Sequence, residues 1–487
     1  MYVLAIDQGT TSTRAIAFDQ SGRQVSLKQK PLTQYYPQPG WCEHDPNEIL
    51  ASCKSLLKEI STSLDGEIAA VGICNQRETV VAWDKLTGQP LHRAIVWLDT
   101  RTEPMVSSLK HMNNFRSLTG LPVSTYFSSL KIRWLIRNVP AVAEALDLGR
   151  CMFGTIDAWL SFKLVGRAVT DVTNASRYNL LDLRTLQWST EVCEGYGIPI
   201  ESLPEIVSSS EVVGHLLVDL SAKNPIPLAS LFGDQQAALY GQGCVEPGNF
   251  KVTFGTGSFV LVNAGVDMPE PSTSLLLTVG YQIGPDAPIS YAFEGSIATA
   301  GRMMELLKSL GIVDNVCDIE KIAADSSEGV VIVPAFTGLL APQWRPEAKG
   351  VVLGLTLKTD RSHVCRAALE AVALQVNDII EEVKKVGVDL YGPVLADGGM
   401  TGNKLLMKIQ ADVLDKEVQC STFREATAWG CALAAGIAVG FYPKPTGESF
   451  DDFRSCQGET LSYKPDMGSD TRSQLIRQFR EAVPRSY

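Results

Sequence analysis

The sequence predicts a two-domain α/β protein, and three observations carry that prediction. The chain is 487 residues long, more than one hydrophobic core usually serves. A strand, a small hydroxylated turn and a second strand open the chain as "LAIDQGTTSTRAIAFDQSG" (4–22) and return past its middle as "KVTFGTGSFVLVNAG" (251–265). Around these two units, short apolar runs of strand type alternate with stretches of helical spacing.

In the first unit, Val3, Leu4, Ala5 and Ile6 form an apolar run that Asp7 ends, and Ala15 to Phe18 form its partner. Gly9, Thr10, Thr11, Ser12 and Thr13 have the composition of a tight hairpin turn. Such a turn aims N–H groups and hydroxyls at one spot, which is how a loop holds phosphate. Taken alone it is equally an ordinary hairpin with a surface aspartate. Next, "EIAAVGICNQRETVVAWDKLTGQPL" (67–91) interrupts two apolar runs with Asn75-Gln76-Arg77-Glu78-Thr79, and "RAIVWLDTRT" (93–102) ends a third in Asp99 and Arg101. Strands that end in charged residues present those side chains at a sheet edge. "STYFSSLKIRWLIRNVP" (124–140) has helical spacing with a proline at its end. A lone aromatic such as Trp97 or Tyr126 is most simply a core residue.

The second half begins after "SLFGDQQAALYGQGC", where Asp234 follows an apolar run, and the turn-rich stretch around Gly243 is the expected domain junction. The turn Gly255-Thr256-Gly257-Ser258 repeats the opening theme. Helical patterns follow at 295–311 and 363–387, separated by the strand and Gly/Pro-rich loop "VVIVPAFTGLLAPQWRP" (330–346). "PVLADGGMTGNKLLMKIQADVL" (393–414) reads as strand, Asp-Gly-Gly turn and helix, and its bare glycines would let a flat ligand lie against the backbone. "TAWGCALAAGIAVGFY" (427–442) is too short for a membrane span and suits a closely packed buried helix.

Composition narrows the function classes. Acidic residues outnumber basic ones by 54 to 43, for a net charge of −11, which argues against a general nucleic-acid binder. Eleven cysteines without a C-x-x-C pair predict reduced thiols and a cytoplasmic setting, and five dispersed histidines show no zinc spacing. No signal peptide is evident, since Asp7 interrupts the apolar start.

Eleven motifs occur in one order along the chain: "AIDQGTTSTR", "GWCEHDP", "NQRET", "AIVW", "TGLPVSTYFSSLK", "FGTIDAWL", "DVTNASR", "GDQQAAL", "FGTGSF", "PAFTGL" and "ADGGMTGN". Together they resemble the FGGY carbohydrate kinases, and among them most closely the members that act on glycerol. The resemblance implies two related actin-like (ribonuclease H-like) ATPase domains, 1–243 carrying the substrate site and first phosphate hairpin and 244–487 the nucleotide site, with a catalytic cleft between them. It implies ATP and Mg2+ as cofactors, glycerol as substrate, and a homo-oligomer (dimer or tetramer). By motif, Asp234 matches the catalytic base and Gln235 its neighbour at the substrate. Arg77 and Glu78 match the pair that hydrogen-bonds the triol, Tyr126 a third polar contact, and Trp97 and Phe259 the aromatic wall. Thr10, Thr11, Ser12 and Arg14 match the first phosphate hairpin, and Thr256 the second. Gly301, Gly399 and Asn403 match nucleotide positions. Asp7 matches an organiser of magnesium through water, with Asp234 as the second carboxylate there.

The chemistry agrees. A primary alcohol is a weak nucleophile that a carboxylate can relieve of its proton, and phosphoryl transfer otherwise needs alignment and charge neutralisation. Departures from the family pattern are Gln343 and Arg345 in the 338–346 loop and Glu305 after Gly301. Many bacterial members bind fructose 1,6-bisphosphate or carry a phosphorylated histidine in the loop before the base. Here that loop is "LSAKNPIPLASLFGDQQ", with Lys223 its only charge before Asp234 and no histidine, so neither control is expected. The alternatives are an FGGY kinase for another small polyol or sugar, or a non-catalytic ATP-binding relative.

Overall fold

Wholly buried Val3, Leu4, Ala5 and Ile6 make a strand apolar on both faces, which belongs in the middle of a covered sheet. In a computed structural model describing residues 1–220, 224–445, 450 and 458–487, that strand is β1 (Tyr2–Gln8). It pairs antiparallel with β2 (Ser12–Phe18), Asp7 lying opposite Arg14. β3 (Gln24–Pro31) extends the meander, β4 (Ile68–Asn75) runs parallel to β1, and β5 (Ser210–His215) and β6 (Pro227–Gly233) complete the order β5-β6-β4-β1-β2-β3. Parallel β1, β4 and β6 finish side by side, Asp7 opposite Cys74 and Asn75 opposite Gly233. Asp7, Arg77, Glu78 and Asp234 therefore leave one edge of one sheet, where open α/β sheets collect their ligand-binding residues.

The second sheet repeats the plan. β7 (Phe250–Phe254) and β8 (Ser258–Gly265) form a hairpin, followed by β9 (Leu276–Tyr281), β10 (Ser290–Ile297), β11 (Val394–Asp397), β12 (Val418–Ser421) and β13 (Thr460–Tyr463). Their order is β9-β10-β8-β7-β11-β12-β13. In both sheets the hairpin has a third antiparallel strand on one side (β3, β10) and two parallel strands on the other (β4 and β6, β11 and β12). The weak sequence repeat is a repeat of topology.

Six helices matter for the site. α1 (Pro46–Ser61), capped by the Asp45 side chain, covers the first sheet. α2 (Asp234–Gly241) continues directly from β6, and α3 (Gly301–Ser309) follows β10 closely. α4 (Arg361–Lys385) and α5 (Lys404–Leu414) pack beneath the second sheet, and α6 is Ala426–Ala438. The close-packed helix expected from 427–442 is α6, but it lies across β1, β4 and β6 of the first sheet and against α2. Gly241 and Gly430 permit the crossing: a Cβ on Gly430 would stand 2.0 Å from the Ala237 carbonyl oxygen, and one on Gly241 would stand 2.1 Å from that of Ala426. Trp429, Cys431 and Leu433 thus share a core with Val3, Ala5 and Ile16, so apolar packing joins the two halves of the chain.

The helical stretch expected over 124–140 is shorter in the structure. Phe127 is extended, the helix spans Ser128–Asn138, and Pro140 starts a separate helix at a position where its missing N–H is harmless. Tyr126 therefore sits on the loop before the helix. Lys223 of the regulatory-loop expectation and Cys456 lie outside the described residues. Among the described residues no helix is long and apolar enough to cross a membrane.

Candidate active site

Residue 7 is the next-to-last position of β1, where the buried strand reaches the sheet edge. The Asp7 carboxylate is mostly buried, and burial lifts its pKa to about 6 against the pull of Arg14, 4.0 Å away. Asp234 adds to the upward shift, so the two carboxylates feel each other. Arg14 also bonds Glu425 at 2.8 Å, tying the first hairpin to the entry of α6. The turn closes through Gly9 N–H to the Ser12 carbonyl at 3.0 Å, with Thr10 and Thr11 at its tip. Ser12 Oγ accepts from Gln29 at 2.8 Å.

The second hairpin is clamped from behind. Ala300 and Arg302 N–H bond the Thr256 carbonyl at 3.1 and 3.2 Å, and Gly301 N–H bonds that of Gly255 at 3.0 Å. No side chain fits at Gly257, where a Cβ would lie 2.4 Å from the Ile297 carbonyl oxygen, or at Gly301, where it would lie 2.7 Å from that of Gly255. Thr256 itself is exposed toward solvent. Gly398 takes φ +93° beside the Phe254 carbonyl, whereas the Cβ direction of Gly399 is open. Asn403 caps α5 through its side-chain oxygen, 2.8 Å from Leu406 N–H.

Between the hairpins lies a buried charge lattice. Arg77 donates from both terminal nitrogens to Glu294, at 2.5 and 3.1 Å, and to Gln236 Oε1 at 3.2 Å. Its Nε faces Asp234 at 3.3 Å and Glu78 at 3.9 Å, and Tyr126 Oη accepts from Arg77 Nη2 at 3.4 Å. Arg177 donates to Glu78 at 2.6 Å and to Glu294 at 3.1 Å. Glu78 holds φ +60°, a conformation that costs a side chain about 1–3 kcal/mol and collects at functional sites. Isolated buried charges are very costly; here three carboxylates meet Arg77 and Arg177. The arginines pull Glu294 down to about 2. Burial raises Asp234, with Arg77 and Lys251 opposing it.

Aromatic rings from both halves line the same space. Trp97 is 5.8 Å from Tyr126 and edge-on to Phe259 at 6.3 Å, and its Nε1 donates to Thr10 Oγ1 at 3.0 Å. The core reading of these rings holds in part: Tyr126 is buried with Leu121, Phe127 and Leu276, and Trp97 packs against that cluster while bonding the first turn.

The structure brings together Asp7, Thr10, Arg77, Glu78, Trp97, Tyr126, Asp234 and Phe259. Gln235 is engaged with Lys251 at 2.6 Å, and its neighbour Gln236 is the one that touches Arg77. Sequence reasoning did not single out Arg177, Glu294, Lys251 or Lys131. Lys131 is wholly buried, with its pKa lowered to about 7 by burial, and it donates to the carbonyls of Thr125, Tyr126 and Phe127 at 2.8, 2.6 and 3.3 Å. It thereby fixes the loop that carries Tyr126. A signal existed for Glu294, an acid inside the apolar run "YAFEGSI". Of the departures, Arg345 is exposed against Glu347 and Tyr487 and Glu305 is exposed on α3, so both lie off the lattice.

A Gly/Thr turn from each sheet, an acid at positive φ beside a buried arginine, and a carboxylate at a helix start are the chemical features of this region. Comparison with known proteins agrees with that geometry. The N-terminal domain model of the FGGY family of carbohydrate kinases matches residues 2–241, and the C-terminal domain model matches 250–439. The glycerol kinase of Nocardia farcinica is 43% identical over 100% of this chain and 99% of its own. That of Roseiflexus is 44% identical over 100% and 99%. Among solved structures, glycerol kinase from Plasmodium falciparum with ADP superposes with a TM-score of 0.92 at 35% identity, covering 100% of this chain and 98% of the other. A xylulose kinase from Lactobacillus acidophilus reaches 0.88 at 19% identity over 99% and 98%, a likeness of fold alone. With both halves of its repeated sheet and its whole length accounted for, the chain belongs to the FGGY family of carbohydrate kinases.

Proposed function

We propose that the chain transfers the terminal phosphoryl group of ATP to glycerol, giving sn-glycerol 3-phosphate. The observation that carries this reading is the Arg77–Glu78 pair, buried beside Asp234 and walled by Trp97, Tyr126 and Phe259. A small triol offers only hydroxyls and short C–H surface. The arginine donates, Glu78 accepts, and the rings cover the carbon chain; a site built on such polar pairs rejects ligands that leave them unsatisfied. Asp234 is the proton acceptor for the attacking hydroxyl, and burial holds its basicity above that of an ordinary aspartate.

The turns at Thr10, Thr11, Ser12 and Arg14 and at Thr256 hold the phosphates. Gly301, Gly399 and Asn403 border the nucleotide, with the open face of Gly399 leaving room for a flat base. Asp7 and Asp234 fit a hydrated Mg2+. Among the described residues no cluster of three or more His, Cys, Asp or Glu forms a protein cage for a metal, and magnesium characteristically keeps water and phosphate among its ligands. When bound it supplies charge neutralisation on the phosphates. The division into 1–243 and 244–487 belongs to the same reading, supported by the repeated sheet topology. So do a cytoplasmic setting and a homo-oligomer; exposed Leu355 and Leu357 are the kind of apolar surface a second copy covers.

A coupled ADP-release assay over glycerol, erythritol, xylulose and ribulose tests the proposal. Glycerol is expected to give the highest kcat/KM. Preference for another polyol would reassign the substrate, and binding without turnover would mark a non-catalytic relative.

A further inference from the structure

Glu294 occupies the middle of β10, paired to Leu261 on one side and Leu276 on the other, with Phe293 and Gly295 beside it in the chain. Its backbone is fixed by both neighbouring strands and its side chain is wholly buried. A carboxylate in such a place needs cations, and the first half of the chain supplies two. Oε1 accepts from Arg77, Arg177 and Ser296 Oγ, each at 3.1 Å, and Oε2 accepts from Arg77 at 2.5 Å.

Arg77 lies between two carboxylates. On one side Glu294 grips both terminal nitrogens in a fork, which fixes the guanidinium plane. On the other, Asp234 meets only Nε, at 3.3 Å, and its side chain is 28% exposed. We propose that Glu294 is a positioning residue for substrate reading: its carboxylate, reaching from the second sheet, holds both terminal nitrogens of Arg77, so that the guanidinium meets Asp234 through Nε alone. With a neutral residue at 294, Asp234 becomes the nearest full charge for Arg77. The guanidinium would turn its terminal nitrogens onto Asp234 and cover the part of that carboxylate a substrate hydroxyl must reach. Arg177 would keep Glu78 as its one remaining carboxylate. The inference rests on the glycerol reading of Arg77, Glu78 and Asp234 given above.

Glu294→Gln keeps the shape and removes the charge. Calorimetric titration of the full-length variant with glycerol, and separately with a non-hydrolysable ATP analogue plus Mg2+, reads the two subsites apart. The expected result is a glycerol Kd raised about 30-fold or more, the scale of disrupting one buried charged contact, with the analogue Kd changed less than about threefold. Ser296→Ala removes one hydrogen bond to Glu294 and should raise the glycerol Kd about threefold, with the analogue again unaffected. Parallel losses for both ligands would reveal a merely structural role and overturn the inference, as would an unchanged glycerol Kd in Glu294→Gln. Should Glu294→Gln fail to fold, Ser296→Ala decides, and an unchanged glycerol Kd there overturns it. A wild-type chain that binds the analogue but not glycerol would instead overturn the substrate reading, and this inference with it.

Discussion

Truncating Arg77 to alanine is the most informative single change, because its contacts let the consequence be worked out in advance. The substitution removes the fork on Glu294, the Nε contact with Asp234 and the bonds to Gln236 and Tyr126. For the ligand, a charge-assisted hydrogen bond is lost, about 1.5–3 kcal/mol, together with the pinning of the neighbouring acids. A total of about 2–4 kcal/mol in glycerol binding follows, roughly 30- to 1,000-fold in Kd. For the fold, breaking a buried ion pair from one side costs about 3–5 kcal/mol. Arg177 remains on both Glu78 and Glu294, so the loss should sit at the low end of that range. Arg77→Lys keeps the charge without the fork and should fall between wild type and alanine. The assay is steady-state ADP release with glycerol and ATP varied separately, with a urea melt on the same sample. A glycerol KM that stays put while the ATP KM rises would refute the reasoning, since the lattice would then belong to the nucleotide.

Asp234→Asn keeps size and most hydrogen bonding but cannot take the proton; kcat should fall about 10²–10⁴-fold while glycerol affinity measured by calorimetry stays within about tenfold. Asp157 is wholly buried beside Asp171 and its pKa is lifted to about 7, chiefly by burial. The folded state therefore holds a proton that the unfolded chain has released above about pH 4, and stability should decline as pH rises from there toward 7, by up to about 1.4 kcal/mol per unit. Urea midpoints across that window should fall more steeply for wild type than for Asp157→Asn; parallel curves would count against the shift. Gly430→Ala should lose about 1–3 kcal/mol, because the added methyl has to displace the backbone of Ala237. Differential scanning calorimetry of that variant should show a lower Tm, and an unchanged Tm would mean the two helices separate freely.

How much of this was legible depended on whether a signal was local. Strands β1, β2, β7 and β8 and their turns were readable because alternating apolar runs and Gly/Thr turns are written in consecutive residues. Asp7 and Asp234 stood out as acids ending buried strands. Arg77–Glu78 stood out as polar letters between two apolar runs. What could not be read were relations between distant residues. Nothing within "TAWGCALAAGIAVGFY" says that this helix crosses the other half's sheet, although its small residues do say that something comes close. The helix boundary at Ser128 escaped because Lys131 ties down the carbonyls of 125–127 from one turn ahead, a tertiary use of a residue whose helical spacing looked ordinary. Arg177 and Glu294 are the clearest case. Each is one charged residue in an otherwise uncharged stretch, and the cost of burying either alone would argue against its being there. Only when the fold sets them 3.1 Å apart, 117 positions from each other in the chain, does each supply the reason for the other. A buried charge in an apolar strand is therefore best read as half of a statement, and the search for its partner belongs at the edge where the other sheet's strands end.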